Sequence, residues 1–298
     1  ERGYTMHHAI SQDKQGNILA TVSKTSAKIA NGKDVRINDF IIMMDPEKGE
    51  ILQEWDLVHM LDSARYGMTD YDLTSDPFAQ SASNWAHNNG IVEWGDDYLA
   101  TARYQGIFKF NKAGGIEWII SPHGYWRDRY LKLLLNPLHA DETPITDPDV
   151  IAGTKNCDDF EWPWGCHTAV PLPNGHILYF NNGYGRNFKL DFTDRKNIYT
   201  CGIEYEVDEV NRTVRQVWQY GKERGTAYFT PARSGVQYLE QTGNRLICPG
   251  MSNVLSNGNR GARVTEVDPE TQDVVFELEL EDAIYQRVYR MSLYPENQ

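Results

Sequence analysis

Phe108-Lys109-Phe110-Asn111, then Gly115, then Trp118, is one of four copies of the same phrase. The others read Ile42-Met43-Met44-Asp45 with Gly49 and Trp55, Tyr205-Glu206-Val207-Asp208 with Trp218, and Thr265-Glu266-Val267-Asp268 with Phe276. Each is an alternating apolar run, a turn residue, and a second apolar run closing on an aromatic side chain. That pattern predicts two antiparallel strands around a tight turn. Two further strand signals precede each copy, so the strands fall in fours. They lie at 8–12, 18–23, 39–45 and 51–56; at 91–94, 98–103, 106–111 and 116–120; at 168–172, 176–181, 200–208 and 213–220; and at 235–239, 245–249, 262–268 and 273–280. About four four-stranded units result, over approximately 8–60, 87–120, 167–220 and 234–280. Units of this size are the blades of a β-propeller, so the predicted class is all-β. Helical periodicity is confined to 126–135, with a further turn near 56–63. Trp55, Trp118 and Trp218 share one repeat position and read as blade packing rather than a substrate box. Four blades make a small ring, and closure needs every edge paired. The first unit opens at the start of the chain, so the expectation is a propeller incomplete at its N-terminus.

The bulk composition narrows the function. A chain of 298 residues with a formal charge of −13 and no Lys/Arg run argues against nucleic acid or an anionic membrane surface as partner. It leaves a small anionic substrate open. No apolar run reaches the length of a membrane span. The chain starts at Glu1 without a signal-peptide pattern, which reads as processing or as a piece of something longer. Its four cysteines are Cys157, Cys166, Cys201 and Cys248, with no CxxC spacing to suggest zinc. Cys157 and Cys166 flank a short loop and can close it as a disulfide, which would mean an oxidising compartment; four reduced thiols are the alternative. The insertions 24–38, 61–86, 121–165 and 183–199 are long, and such loops often carry function.

Three histidines recur at one point of the repeat: His8, His87 and His167, spaced by 79 and 80 residues. Each stands before a strand that follows a turn. Equivalent repeat positions occupy equivalent places around an axis, so three imidazoles are expected to meet there. His7, His59, His123, His139 and His176 lack this equivalence and read as structural.

At these residues the chain resembles the bacterial arylsulfate sulfotransferase family. The resemblance runs through Asn84-Trp85-Ala86-His87-Asn88-Asn89, Thr101-Ala102-Arg103-Tyr104-Gln105-Gly106, His167-Thr168-Ala169, Asn182-Gly183-Tyr184-Gly185-Arg186 and Val217-Trp218-Gln219-Tyr220-Gly221-Lys222-Glu223-Arg224-Gly225. It spans His8 to about Tyr289 and covers the C-terminal half or so of the family pattern. It implies a six-bladed propeller, with a separate N-terminal domain through which a homodimer can form, in a periplasmic or secreted protein. By the resemblance, His167 is the nucleophile that carries the sulfuryl group, His8 and His87 support it, and Arg103 binds sulfate. Asn89 and Tyr289 are implied substrate contacts. Trp162 and Trp164, just before His167, either wall an aromatic acceptor site or pack the loop. The resemblance also favours a Cys157–Cys166 disulfide, although the family's cysteine pair lies farther upstream of the nucleophile. Tyr104 stands where the family often carries histidine, and 183–199 differs in content.

The chemistry suits these residue types. A sulfate monoester keeps negative charge on its equatorial oxygens, so transfer needs fixed cationic or N–H donors, which Arg103, His8 and His87 supply. Neutral imidazole can accept the group and release it again, giving ping-pong kinetics. A phenol of pKa near 10 leaves with little acid assistance. No GxxxxGK[ST] loop is present for a nucleotide donor, and no HExxH or carboxylate-rich spacing suggests a metal. The reading is therefore a sulfotransferase acting on aryl sulfates and phenols, needing neither cofactor nor metal. Its rivals are a non-catalytic propeller that binds or builds an extracellular assembly, and a sulfatase in which water replaces the acceptor.

Overall fold

The turn residue of the repeated phrase closes each hairpin with its own side chain. Asp45 Oδ1 accepts from the backbone N–H of Glu47 and Lys48, and Asn111 Oδ1 from those of Ala113 and Gly115. Asp208 Oδ1 takes those of Val210 and Asn211, and Asp268 Oδ1 those of Glu270 and Thr271. A short carboxylate or amide satisfies turn N–H groups that no strand can reach, which is why Asp or Asn recurs there.

In this computed structural model, which describes residues 3–25, 37–65, 85–190, 193–252, 261–281 and 284, the strands form four antiparallel sheets in chain order. The first holds β1 (Thr5–Gln12), β2 (Ile18–Thr25), β3 (Ile37–Asp45) and β4 (Glu50–Asp56). The second holds β5 (Asn88–Trp94), β6 (Asp97–Ala102), β7 (Gly106–Phe110) and β8 (Ile116–Ile120). The third holds β10 (His167–Pro171), β11 (Ile177–Asn181), β12 (Cys201–Asp208) and β13 (Thr213–Tyr220), and the fourth β14 (Ser234–Tyr238), β15 (Arg245–Pro249), β16 (Ala262–Val267) and β17 (Val274–Leu280). Each sheet is a simple up-and-down meander. The first strands β1, β5, β10 and β14 touch one another in succession, so they are the inner strands of neighbouring blades. The expected β-propeller architecture is thus present.

The core lies between sheets. Strand β11 reads Ile177-Leu178-Tyr179-Phe180 without a polar break. Alternate side chains leave opposite faces of a strand. Ile177 and Tyr179 pack with Leu99, Ile107 and Trp118 of the second sheet, while Leu178 and Phe180 pack with Val236, Ile247 and Val267 of the fourth. A sheet covered on both faces needs a continuous apolar strand.

The repeated tryptophans latch one sheet to the hairpin of the next. Trp55 Nε1 donates to Lys112 O at 3.0 Å, and Trp118 Nε1 to Glu209 Oε1 at 2.7 Å. Trp218 Nε1 donates at 2.9 Å to the Gln272 amide oxygen, in the amide orientation its neighbours demand. Blade packing is therefore the role of these indoles. The fourth copy of the phrase places Phe276 here, and it is 49 % exposed.

Two expectations need correction. The helix over 126–135 is a single turn, α2 (Asp128–Leu131), because the chain then runs extended beside β8: Ile119 N–H donates to Leu133 O and Leu135 N–H to Ile119 O. It continues into β9 (Asn136–Leu138), which adds to β13 in parallel, so the third sheet has five strands. Two other short helices are α1 (Leu57–Met60), N-capped by Asp56, and α3 (Pro148–Ala152), N-capped by Asp147.

Candidate active site

His8 lies within β1, His87 immediately precedes β5, and His167 opens β10. All three sit where the inner strand breaks its register with the next. The shifts fall between Met6 and Ile10, Asn88 and Gly90, and His167 and Ala169. A bulge adds a residue and re-aims the side chains beside it. The backbone shows the same device: φ is 51° at His8, 54° at His87 and 39° at Thr168. Left-handed φ is uncommon for such residues and costs about 1–3 kcal/mol each. Gly90 completes the bulge of the second sheet, since a Cβ there would lie 2.6 Å from Thr101 Oγ1.

The bulges bring the imidazoles together. His8 and His87 face each other Nε2 to Nε2 at 3.2 Å, and the rings of His8 and His167 lie 6.0 Å apart. His7, read as structural from the sequence, joins them through an Nδ1–Nδ1 contact to His8 of 3.0 Å. Its other nitrogen lies 3.5 Å from Asp39 Oδ1, and Asp39 is buried and accepts from Asn88 N–H. Donation from His8 to His7 and from His87 to His8 accounts for both ring contacts, while His7 Nε2 only approaches Asp39 and makes no hydrogen bond among the described residues.

His167 is buried and its tautomer is fixed by Asn182. The Asn182 amide N–H₂ donates to Thr230 O at 2.8 Å and to Ser234 Oγ at 3.2 Å. Its Oδ1 must therefore accept, and it meets His167 Nδ1 at 2.6 Å. The proton sits on Nδ1, and Nε2 keeps its lone pair. Burial holds the His167 imidazole well below the usual histidine range, helped by the Arg103 guanidinium and His8. His87 is held down in the same way, by burial first and then by His8 and Arg103. Two neutral imidazoles, His87 and His167, thus share the centre with the Arg103 guanidinium.

Arg103 follows the end of β6. It is buried and donates through Nη2 to Pro231 O at 2.8 Å, while its guanidinium lies over the Tyr184 ring at 4.7 Å. Its backbone N–H bonds His87 O, so guanidinium and imidazole are mounted on one another. Tyr104, beside it, places its ring 6.0 Å from that of His87. Asn89 is buried, and its amide N–H donates to Cys166 O at 3.0 Å, bracing the backbone just before His167.

Arg103 lines a cavity of ≈ 40 Å³ together with Arg65, Tyr104, Trp164, Tyr184 and Phe188. Trp164 is buried against Phe188 and forms one wall. Trp162 donates its indole N–H to Val150 O and packs on Phe160, so it serves the loop. Arg186, from one quoted family stretch, forms a buried ion pair with Glu161 that ties insertion 183–199 to insertion 121–165.

The Cys157–Cys166 disulfide is not formed: both cysteines are free thiols. Cys166 is packed in the core between the second and third sheets, where burial raises its thiol to about 12, whereas half-buried Cys157 turns to Asp159. Tyr289 lies outside the described residues.

Sequence reading missed His7, Asp39 and Asn182 at the site, and the repeat position of Arg233. Asn182 was quoted as part of a motif, with nothing to show that its amide meets a histidine fifteen residues away. Arg233 had a legible signal. It precedes the inner strand of the fourth sheet with φ 60°, as His87 precedes that of the second. Its side chain is exposed.

Fold and site together define a β-propeller that gathers imidazoles and a guanidinium at one end of its inner strands. The chain belongs to the arylsulfotransferase (ASST) family, whose sequence model matches residues 1–290. It is 28 % identical to the arylsulfate sulfotransferase AssT of Escherichia coli O6:H1 (strain CFT073) over 96 % of its length, and equally to that of Lelliottia amnigena. The chain spans about half, 52 %, of these relatives. Among solved structures it is similar to a putative 6-phosphogluconolactonase from Bacteroides uniformis (TM-score 0.40, 11 % identity, covering 97 % of this chain and 77 % of that one). It is similar also to the Dos1 propeller (TM-score 0.37, 9 % identity, covering 93 % and 62 %). No helix among the described residues is long and apolar enough to cross a membrane.

Proposed function

We propose that this protein transfers a sulfuryl group from an aryl sulfate to a phenol through a covalent intermediate on His167. The observation that carries this reading is the neutral, buried imidazole whose Nδ1 proton is committed to Asn182 Oδ1, leaving Nε2 as a nucleophile beside Arg103. In the first half-reaction Nε2 attacks sulfur, the S–N bond forms, and the bond to the aryl oxygen breaks with loss of phenolate. In the second, the acceptor oxygen loses its proton and attacks sulfur, the S–N bond breaks, and neutral imidazole returns. Arg103 stabilises the charged sulfuryl oxygens, a preorganised donor of this kind contributing roughly 3 kcal/mol. The row from His87 through His8 and His7 toward Asp39 offers the acceptor's proton a path of imidazole nitrogens. The same reading makes the four sheets part of a six-bladed ring. Apolar side chains exposed on the first sheet, Met6 and Ile10, and on the last, Val275 and Phe276, support it as surfaces for neighbouring blades. A periplasmic or secreted location, and a homodimer held by a domain outside this chain, rest on the family alone; the free thiols lend the location no support.

The test is peptide mass spectrometry after incubation with an aryl sulfate and no acceptor, at neutral to basic pH where N-sulfuryl groups survive. The longest native form of the protein is used. The expected result is a sulfuryl group on the peptide containing His167, discharged by added phenol. An unmodified His167 peptide in a folded protein overturns the reading and favours a non-catalytic binding propeller. Modification discharged by water as fast as by phenol favours a sulfatase.

A further inference from the structure

Away from the centre, insertion 121–165 gathers three different metal-ligand types. His139 ends the short β9 arm, and its Nδ1 lies 3.0 Å from Asp159 Oδ1. Cys157 Sγ lies 3.1 Å from the same oxygen. The donor atoms of the three residues all fall within 4.8 Å of one another, and each residue is half-buried. In tetrahedral zinc, bonds of about 2.0–2.3 Å set neighbouring donors roughly 3.3–3.7 Å apart. The two separations through Asp159 Oδ1 need to open by only a few tenths of an ångström to admit the ion. The other carboxylate oxygen, Oδ2, accepts from Ala140 N–H at 2.9 Å, which orients Oδ1 inward as an outer hydrogen bond orients a metal ligand.

We propose that His139, Cys157 and Asp159 bind a zinc ion, with solvent as the fourth ligand. Binding replaces the thiol proton of Cys157 by a Zn–S bond and releases that proton to solvent; no redox change is involved. The position explains what the ion does. His139 belongs to the arm paired with β13, whereas Cys157 and Asp159 lie ten and eight residues before His167. The ion clamps the nucleophile's approach segment to the edge of the third sheet. It does for this chain what a cross-link through Cys157 would do, and Cys157 has no disulfide partner. The sequence spacing, 139, 157 and 159, matches no zinc motif, so only the folded chain presents the set.

Two readouts test the site independently of sulfuryl transfer. Titration of the intact protein with Co²⁺ is expected to give a thiolate-to-cobalt charge-transfer band. The band disappears in Cys157→Ser, and cobalt affinity falls at least tenfold in His139→Ala. Alkylation of Cys157, followed by peptide mass spectrometry, is expected to slow at least tenfold with Zn²⁺ and to recover with EDTA. Cys166, Cys201 and Cys248 are buried and serve as internal controls. A folded wild-type protein showing neither band nor protection overturns the proposal. So does protection that survives both His139→Ala and Asp159→Asn.

Discussion

The histidines at the centre and those at the periphery have opposite surroundings. At the centre, His8, His87 and His167 face other imidazoles, the Arg103 guanidinium and the Asn182 amide. At the periphery, His139 meets Asp159 at 3.0 Å and His176 meets Glu204 at 2.7 Å. A carboxylate beside an imidazole fixes the ring by a hydrogen bond. A buried ring beside a guanidinium stays neutral and keeps a lone pair. The same residue type is thereby a holding group in one place and a nucleophile in the other.

The sharpest way to break this comparison is to remove one histidine from each set. His167→Ala should lower sulfuryl transfer about 10⁴-fold, as loss of a nucleophile does, while His176→Ala stays within about twofold. Initial rates on a chromogenic aryl sulfate, with circular dichroism to verify folding, decide it; equal losses would erase the distinction. Arg103→Lys should cost about 10²-fold in kcat, because an ammonium keeps the charge but loses the planar fork. A retained rate would mean that charge alone suffices.

Asn182→Asp makes the centre resemble the periphery. A carboxylate on Nδ1 stabilises the protonated ring, so the acidic limb of the pH–rate profile should move up by about one unit or more. Activity lost at neutral pH should return at higher pH. An unshifted profile would show that Asn182 does not set the protonation of His167.

Stability should show the same asymmetry more weakly. The pKa values of His87 and His167 are depressed in the folded state. As pH falls below about 6.5, the unfolded chain takes up protons that these rings refuse. Stability is therefore full above that pH and declines below it until the folded rings titrate. Thermal melts of the wild type and His167→Asn between about pH 5 and 8 should show a shallower decline in the variant. The smallest effect is expected for His176→Gln, about 1 kcal/mol of stability with activity unchanged.

Much of the fold was legible because its rule is local. Asp45, Asn111, Asp208 and Asp268 bond within their own turns, and Ile177–Phe180 declares a sheet covered on both faces. The single turn at Asp128–Leu131 was not legible, since apolar residues at 126–135 fit a helix as well as a strand beside β8. The recurrence of the histidines was visible because it is a spacing. Their bulges, and the row from His7 to Asp39, were not, because register between strands is settled by packing.

By itself, then, the sequence determined the repeat, the hairpins, the indoles that latch one sheet to the next, and the histidine positions that share an axis. Each follows from the order of residues over one or two strands. Only the tertiary structure decided that Cys157 and Cys166 stay apart, that Asn182 fixes the His167 tautomer, and that His139, Cys157 and Asp159 converge. Those outcomes depend on where separate loops come to rest, and hydrogen bonds and ligand distances act through space rather than along the chain.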